Sequence, residues 1–305
     1  MTSTGVTKDR STLLMGTISL DRYLASGEVL PGGGVLNMAW HWRQLGRDFW
    51  LLTRVGAEDG EPTERFLDGH DIDTVSRSEL ATPGRSSTID IEILPDRQPW
   101  MDHFTGGVWD DYRLTPSERA DLASAERLHV VLVEGAIAEL ERLAADGALE
   151  GIAVSADFLG FRHYTIDRLA ATMRHVDLGL IGWPGAEDAP EVAGMRQVAF
   201  ELGRVLVVTM GSRSVHVFDG RAPLNGGPQE PTERRFAVTP VDVVGTTLGC
   251  GDAFMAWFLD ELWRSGDHAA AVARGMMGGA LATEWQRPLP DSAYDLLRAP
   301  LHRAD

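Results

Sequence analysis

Apolar residues along this chain fall into two rhythms that alternate. Short continuous runs at 11–18, 49–55, 128–133, 152–156, 178–181 and 205–209 have the length and β-branched content of buried strands. Between them, three- and four-residue spacing predicts helices over 37–45, 63–68, 136–145, 165–174 and 190–202. Such alternation implies an α/β fold with a mainly parallel sheet covered on both faces. Two segments break the rhythm. Residues from about 18 to 30 and from about 86 to 104 read as antiparallel strands, the second alternating through Thr88, Ile89, Asp90, Ile91, Glu92 and Ile93 before a Pro95-Asp96-Arg97 turn. Excursions placed there predict a small lid, and Trp100, Phe104 and Trp109 give the second an apolar face that a monomer would leave uncovered. No repeat or low-complexity linker divides the chain, so residues 1–305 read as one domain.

Two glycine-rich turns carry the candidate chemistry. In Gly245-Thr246-Thr247-Leu248-Gly249-Cys250-Gly251-Asp252-Ala253-Phe254, two glycines bracket one small residue, an aspartate follows, and Trp257, Leu259, Leu262 and Trp263 continue at helical spacing. A turn of this kind lets backbone N–H groups converge at a helix N-terminus, where the dipole favours a phosphate or a developing oxyanion. An aspartate beside an anion cradle is chemically odd unless it removes a proton from a hydroxyl attacking phosphorus, although an Asp in a first turn also serves simply to satisfy the dipole. Near the other end, Pro31-Gly32-Gly33-Gly34-Val35-Leu36-Asn37-Met38-Ala39 opens a helix that stops at Gly46, and Arg54-Val55-Gly56-Ala57-Glu58-Asp59-Gly60 forms a polar turn. Asn37 reads either as a cap or as a group reaching into a cleft.

Composition narrows the options. A formal net charge of −17, with no Lys/Arg cluster, argues against a nucleic-acid partner. The only cysteine is Cys250, which excludes intramolecular disulfides and a cysteine metal site. There is no run long enough to cross a membrane and no signal-peptide pattern, and the polar first dozen residues read as a ragged end. A reducing, cytoplasmic compartment is expected. Neither GxSxG, GxGxxG nor GxxxxGK[ST] occurs. His103, His129 and His163 lack metal-ligand spacing, and Trp40, Trp42, Trp50 and Trp285 read as core or subunit contacts.

The two turns together resemble the signatures of the ribokinase-like (PfkB) family of carbohydrate kinases. The first matches at Gly32, Gly33, Asn37, Ala39, Leu45, Gly46, Val55 and Gly56, the second at Thr247, Gly249, Gly251, Asp252 and Phe254. The resemblance implies a three-layer sandwich with a mainly parallel central sheet and a small β-sheet lid, often shared in a homodimer. It implies ATP and Mg2+ as cofactors and a small sugar or sugar derivative as acceptor. Asp252 resembles the general base, and the N–H groups of Gly249, Cys250 and Gly251 resemble the anion hole. Asp21, Gly33 and Asn37 resemble acceptor contacts, and Thr209 and Gly211 resemble nucleotide contacts. Glu187 resembles the glutamate that organises magnesium, and reads equally as a surface carboxylate in a proline-glycine loop. Asp21 likewise reads as a solvated strand-end residue.

Four departures fall on the nucleotide and metal side. Thr246 replaces the usual aspartate, Cys250 an alanine, Pro184 the asparagine that pairs with the glutamate, and Ser214 a turn glycine. They keep open a catalytically silent sugar- or nucleotide-binding protein, and a nucleoside kinase of the same family remains a further alternative. The stretches 103–112, 183–188 and 271–275 look most like fructosamine 6-kinases of the fructoselysine kinase type, for which an acidic rim of Asp102, Asp110 and Asp111 would suit an acceptor ammonium group. A helix N-terminus lowers a thiol pKa, so Cys250 is expected to be reactive and protected by ATP.

Overall fold

The computed structural model describes residues 11–221 and 230–298, and most of the polar first dozen residues lie outside that set. Strand β1 (Thr12–Met15) leads into a hairpin of β2 (Ser19–Tyr23) and β3 (Glu28–Gly32), then α1 (Gly34–Gln44). There follow β4 (Trp50–Leu52), the short β5 (Val55–Gly56), α2 (Glu61–Gly69), β6 (Ala81–Thr82) and a second hairpin, β7 (Ser87–Ile93) and β8 (Pro99–Thr105). After α3 (Pro116–Leu122), strand and helix alternate: β9 (Arg127–Val131), α4 (Glu134–Ala145), β10 (Ala153–Gly160), α5 (Ile166–Met173), β11 (Leu178–Gly182), α6 (Pro190–Leu202) and β12 (Val205–Thr209). The chain closes with β13 (Ser214–Asp219), β14 (Thr232–Ala237), α7 (Cys250–Ser265), α8 (His268–Ala282) and α9 (Asp295–Arg298).

The main sheet runs β14-β13-β12-β11-β10-β9-β1-β4, parallel from β12 to β4 and antiparallel at β13 and β14. Its strands are apolar on both faces because both faces are covered. Leu14, Val131, Leu180 and Val207 point into one buried cluster with α1, α2, α7 and α8. Their neighbours Leu13, Val130, Ile181 and Leu206 point into another with α4, α5 and α6. These are the three expected layers.

Both excursions join one four-stranded sheet, β3-β2-β7-β8, in which the two hairpins are antiparallel and β2 pairs with β7 in parallel. Trp109 does not belong to this lid. It is 1% exposed and stacks on Tyr112, with its indole N–H donated to the Arg54 carbonyl. The strand expected over 49–55 is split after Leu52, where Thr53 Oγ1 bonds the Gly16 carbonyl. Helix α8 was not foreseen. Its glycines let it lie against α7, since a Cβ at Gly275 or Gly278 would fall 2.9 and 2.8 Å from the carbonyl oxygens of Phe254 and Ala253.

Candidate active site

A cavity of about 820 Å³ opens at the C-terminal ends of the parallel strands, beneath the lid. This is where an open α/β sheet places its ligands. One half is lined by Asp21, Gly33 and Asn37 with the lid residues Ile89 and Met101, the other by Trp183, Thr209 and Gly211. Gly249, Gly251 and Asp252 also line it. Cys250 and Glu187 do not.

Gly249 makes the turn into α7. Its left-handed φ of +82° suits glycine, and a Cβ there would fall 2.6 Å from Pro288 Cα. The helix then begins at Cys250, which puts Asp252 in its first turn. The N–H groups of Gly249, Gly251 and Asp252 donate to no carbonyl or side chain among the described residues, whereas that of Cys250 donates to the Thr247 carbonyl at 3.3 Å. The expected cradle is therefore centred on the amides flanking Cys250. Asp252 Oδ2 accepts Asn37 Nδ2 at 2.7 Å. Burial pushes Asp252 up to about 6 against that hydrogen bond, a value suited to accepting a proton near neutrality.

Asp21 lies on lid strand β2, buried, and accepts the Ser19 hydroxyl at 2.6 Å. Burial, reinforced by Asp252, pushes it up to about 7 against bonds from Ser19 and the Gly33 amide. Gly32 leaves room for it, since a Cβ there would sit 2.1 Å from Asp21 Oδ2. Gly33, at φ +90°, starts α1 where a Cβ would crowd Ser19 Oγ and the Thr17 carbonyl, both at 3.1 Å.

On the other half, Thr209 ends β12 and Gly211 turns the chain with φ +61°. Glu187 is held at the far end of that turn rather than in the cavity lining. Its carboxylate is gripped by Arg235 at 2.7 and 3.0 Å and by Ser214 Oγ at 2.8 Å. These bonds, Arg235 foremost, hold it down to about 2. Ser214, the residue in place of a turn glycine, thus supplies one of the bonds that occupy Glu187. Among the described residues, no group of three or more His, Cys, Asp or Glu side chains could hold a metal. Glu187 belongs to no such group, and its carboxylate is bonded to Arg235 and Ser214.

Two further expectations are corrected. Asp102 lines the cavity but Asp110 and Asp111 do not, so the acidic rim shrinks to one residue. The Cys250 thiol is pushed up to about 12, chiefly by burial and then by Asp252, which outweighs the helix N-terminus. Among the cavity residues that were not foreseen is Asp157 on β10, 1% exposed, between the two halves. Its signal was available, a carboxylate immediately after the apolar run 152–156 at the delivering end of a parallel strand.

No protein-family model matches the sequence, and no curated protein matches it either. Comparison with solved structures shows the fold to be ribokinase-like. The chain is similar to a microbiome-derived acarbose kinase, with TM-score 0.70 and 18% identity over 95% of this chain and 99% of that one. It is also similar to ribokinase of Arabidopsis thaliana complexed with ribose and ATP (0.69, 16%, 95% and 99%). A third likeness is to a nucleoside kinase of Burkholderia thailandensis in complex with inosine (0.68, 18%, 93% and 96%). At such identities the likeness fixes the fold, and activity must be argued from the site itself. Among the described residues, no helix is long and apolar enough to cross a membrane.

Proposed function

We propose that this chain transfers the γ-phosphoryl group of ATP to a primary hydroxyl of a small sugar or sugar derivative, with Asp252 as general base. The observation that carries the reading is the position of the Asp252 carboxylate: in the first turn of α7, beside undonated amides, fixed by Asn37, and open to a cavity that Asp21 also lines. A hydroxyl held by Asp21 near the Gly33 turn would lose its proton to Asp252 as it attacks phosphorus. The amides of Gly249 and Gly251 would then meet the charge on the transferring group. Thr209 and Gly211 are the nucleotide contacts on this reading. Magnesium bound to the nucleotide phosphates would supply charge neutralisation at the transferring group.

For the acceptor we favour a fructosamine, since Asp102 and Asp21 line the acceptor half and would suit an ammonium group. The same reading places a homodimer contact on the lid, where Trp100 and Phe104 are 39% and 45% exposed. Sedimentation velocity tests that contact, and a monomer at every concentration removes it.

A catalytically silent binding protein is favoured by one observation, the occupation of Glu187 by Arg235 and Ser214. Incubation with ATP, magnesium and a panel of fructosamines, free hexoses, ribose and nucleosides separates the readings. A kinase forms ADP with one class of acceptor, and Asp252→Asn lowers the rate by about 10²- to 10⁴-fold. Turnover of nucleosides alone removes the fructosamine assignment. Ligand-dependent melting shifts without ADP formation establish the silent protein instead.

A further inference from the structure

Asp157 rests on the kinase reading and adds a residue to it. Its Oδ1 accepts the Leu159 N–H at 2.6 Å, and Leu159 takes φ +57° to make that turn. Its Oδ2 is buried with no hydrogen-bond partner among the described residues, in a side chain that lines the cavity. A carboxyl oxygen left so is costly, and such groups survive where a ligand completes them.

The sheet says which part of a ligand that would be. Asp157 pairs in register with Val131 of β9 on one side and Leu180 of β11 on the other. Two strands away in one direction is β12 with Thr209, and two strands away in the other is β1, which runs on into Thr17 and the lid strand of Asp21. At about 4.8 Å per strand, each half of the cavity lies about 10 Å from Asp157. It stands where donor and acceptor meet.

We propose that Asp157 binds the phosphoryl group in transit, its Oδ2 hydroxyl donating a hydrogen bond to one of that group's oxygens. Burial, with Asp252 close by, pushes Asp157 up to about 8 against the Leu159 N–H, so the carboxyl keeps its proton at neutral pH. The groups facing it are Asp252 from α7 and Tyr164 beyond β10, while β9 and β11 set Val131 and Leu180 beside it. Arg162 and Arg168 line the same cavity, the first donating to His163 and the second paired with Glu134. The two carboxyls divide the work: Asp252, ionised, takes the proton of the acceptor hydroxyl, and Asp157, neutral, keeps its own. The P–O bond to the nucleotide breaks as the P–O bond to the acceptor forms.

Calorimetric titration with magnesium and either AMP-PNP or ADP tests this on the wild type, Asp157→Asn and Asp157→Ala. At about pH 6.5 the wild type and Asp157→Asn, which keeps a donor, should bind AMP-PNP alike, and Asp157→Ala about tenfold to a hundredfold more weakly. At about pH 9.5 the wild type should lose about tenfold or more, having ionised, and Asp157→Asn should not. ADP lacks the transferred group and should bind all three alike, with melting temperatures unchanged or raised. Equal AMP-PNP binding by Asp157→Ala, the same pH dependence in wild type and Asp157→Asn, or parallel losses of ADP affinity and melting temperature would each overturn the assignment. The expected binding pattern with no turnover on the acceptor panel removes the kinase reading and leaves Asp157 in place. Wild-type turnover by Asp157→Ala does the reverse, and a wild type that binds no AMP-PNP removes both.

Discussion

Asn37 Nδ2 and Asp252 Oδ2 meet at 2.7 Å, joining the first turn of α1 to the first turn of α7 across 215 positions of sequence. The two glycine-rich motifs are thereby one site, in which the first orients the carboxylate supplied by the second. Asn37 keeps a second capacity. Its buried Oδ1 has no partner among the described residues, so on the proposed reading Asn37 would both orient Asp252 and touch the acceptor.

Removing that amide should move a pH profile. The Asn37 bond favours the ionised form of Asp252, so in Asn37→Ala the carboxyl rises above about 6. The acid limb of kcat/KM should shift up by about one pH unit, with a greater loss at low pH than at pH 8. Initial rates across pH read this directly, and a loss of equal size at every pH would show that Asn37 acts in another way.

Gly32→Ala should strike the acceptor rather than the nucleotide. A Cβ 2.1 Å from Asp21 Oδ2 forces that carboxylate out of its seat between Ser19 and the Gly33 amide. The acceptor KM should rise by about tenfold or more while that of ATP stays within about twofold. Equal effects on both substrates would mean that Asp21 does not hold the acceptor.

The Cys250 thiol should be inert in the folded protein. Raised to about 12, it carries almost no thiolate at neutral pH, and alkylation should run at least about a hundredfold slower than in the unfolded chain. As the sole cysteine it gives an unambiguous thiol count with Ellman's reagent. Reaction at the rate of a free thiol would contradict the burial found here.

Three cavity carboxyls, Asp21, Asp157 and Asp252, sit above their ordinary 3.8, at about 7, 8 and 6. In each the folded state holds its proton more tightly than the unfolded chain, so stability is greatest below about pH 4 for these groups and is lost as pH rises through their folded values. Replacing any of the three by Asn should raise the melting temperature at pH 8 by a few degrees and by less at pH 5. Scanning calorimetry at both pH values measures it. A larger gain at pH 5 would reverse the sign argued here.

Most of the sheet was legible because buried parallel strands are uninterrupted apolar runs, and 205–209 coincides with β12. Helix α8 was hidden because its contact with α7 is made by Ala and Gly, residues that read as neutral or as breakers until the close approach at Gly275 and Gly278 is seen. Trp109 misled because it follows the lid hairpin in sequence yet turns back into the core beside Tyr112. Within the site, motif spacing located Asp252 and Asn37 but not the bond between them. Asp157 stood outside any glycine signature and needed the strand order to acquire meaning. For Cys250, position at a helix start was visible and desolvation was not.

The lid tip is tied to the turn that opens α7. Thr246 Oγ1 and the Thr247 N–H both donate to the Arg97 carbonyl, at 3.0 and 3.1 Å, and Thr247 Oγ1 donates to Gln98 Oε1 at 2.9 Å. Asp21 belongs to that same small sheet, so any displacement of the roof would strain the bonds to the α7 turn and move one wall of the chamber as well. On the kinase reading, the wall that receives the acceptor and the turn that presents Asp252 would therefore shift together.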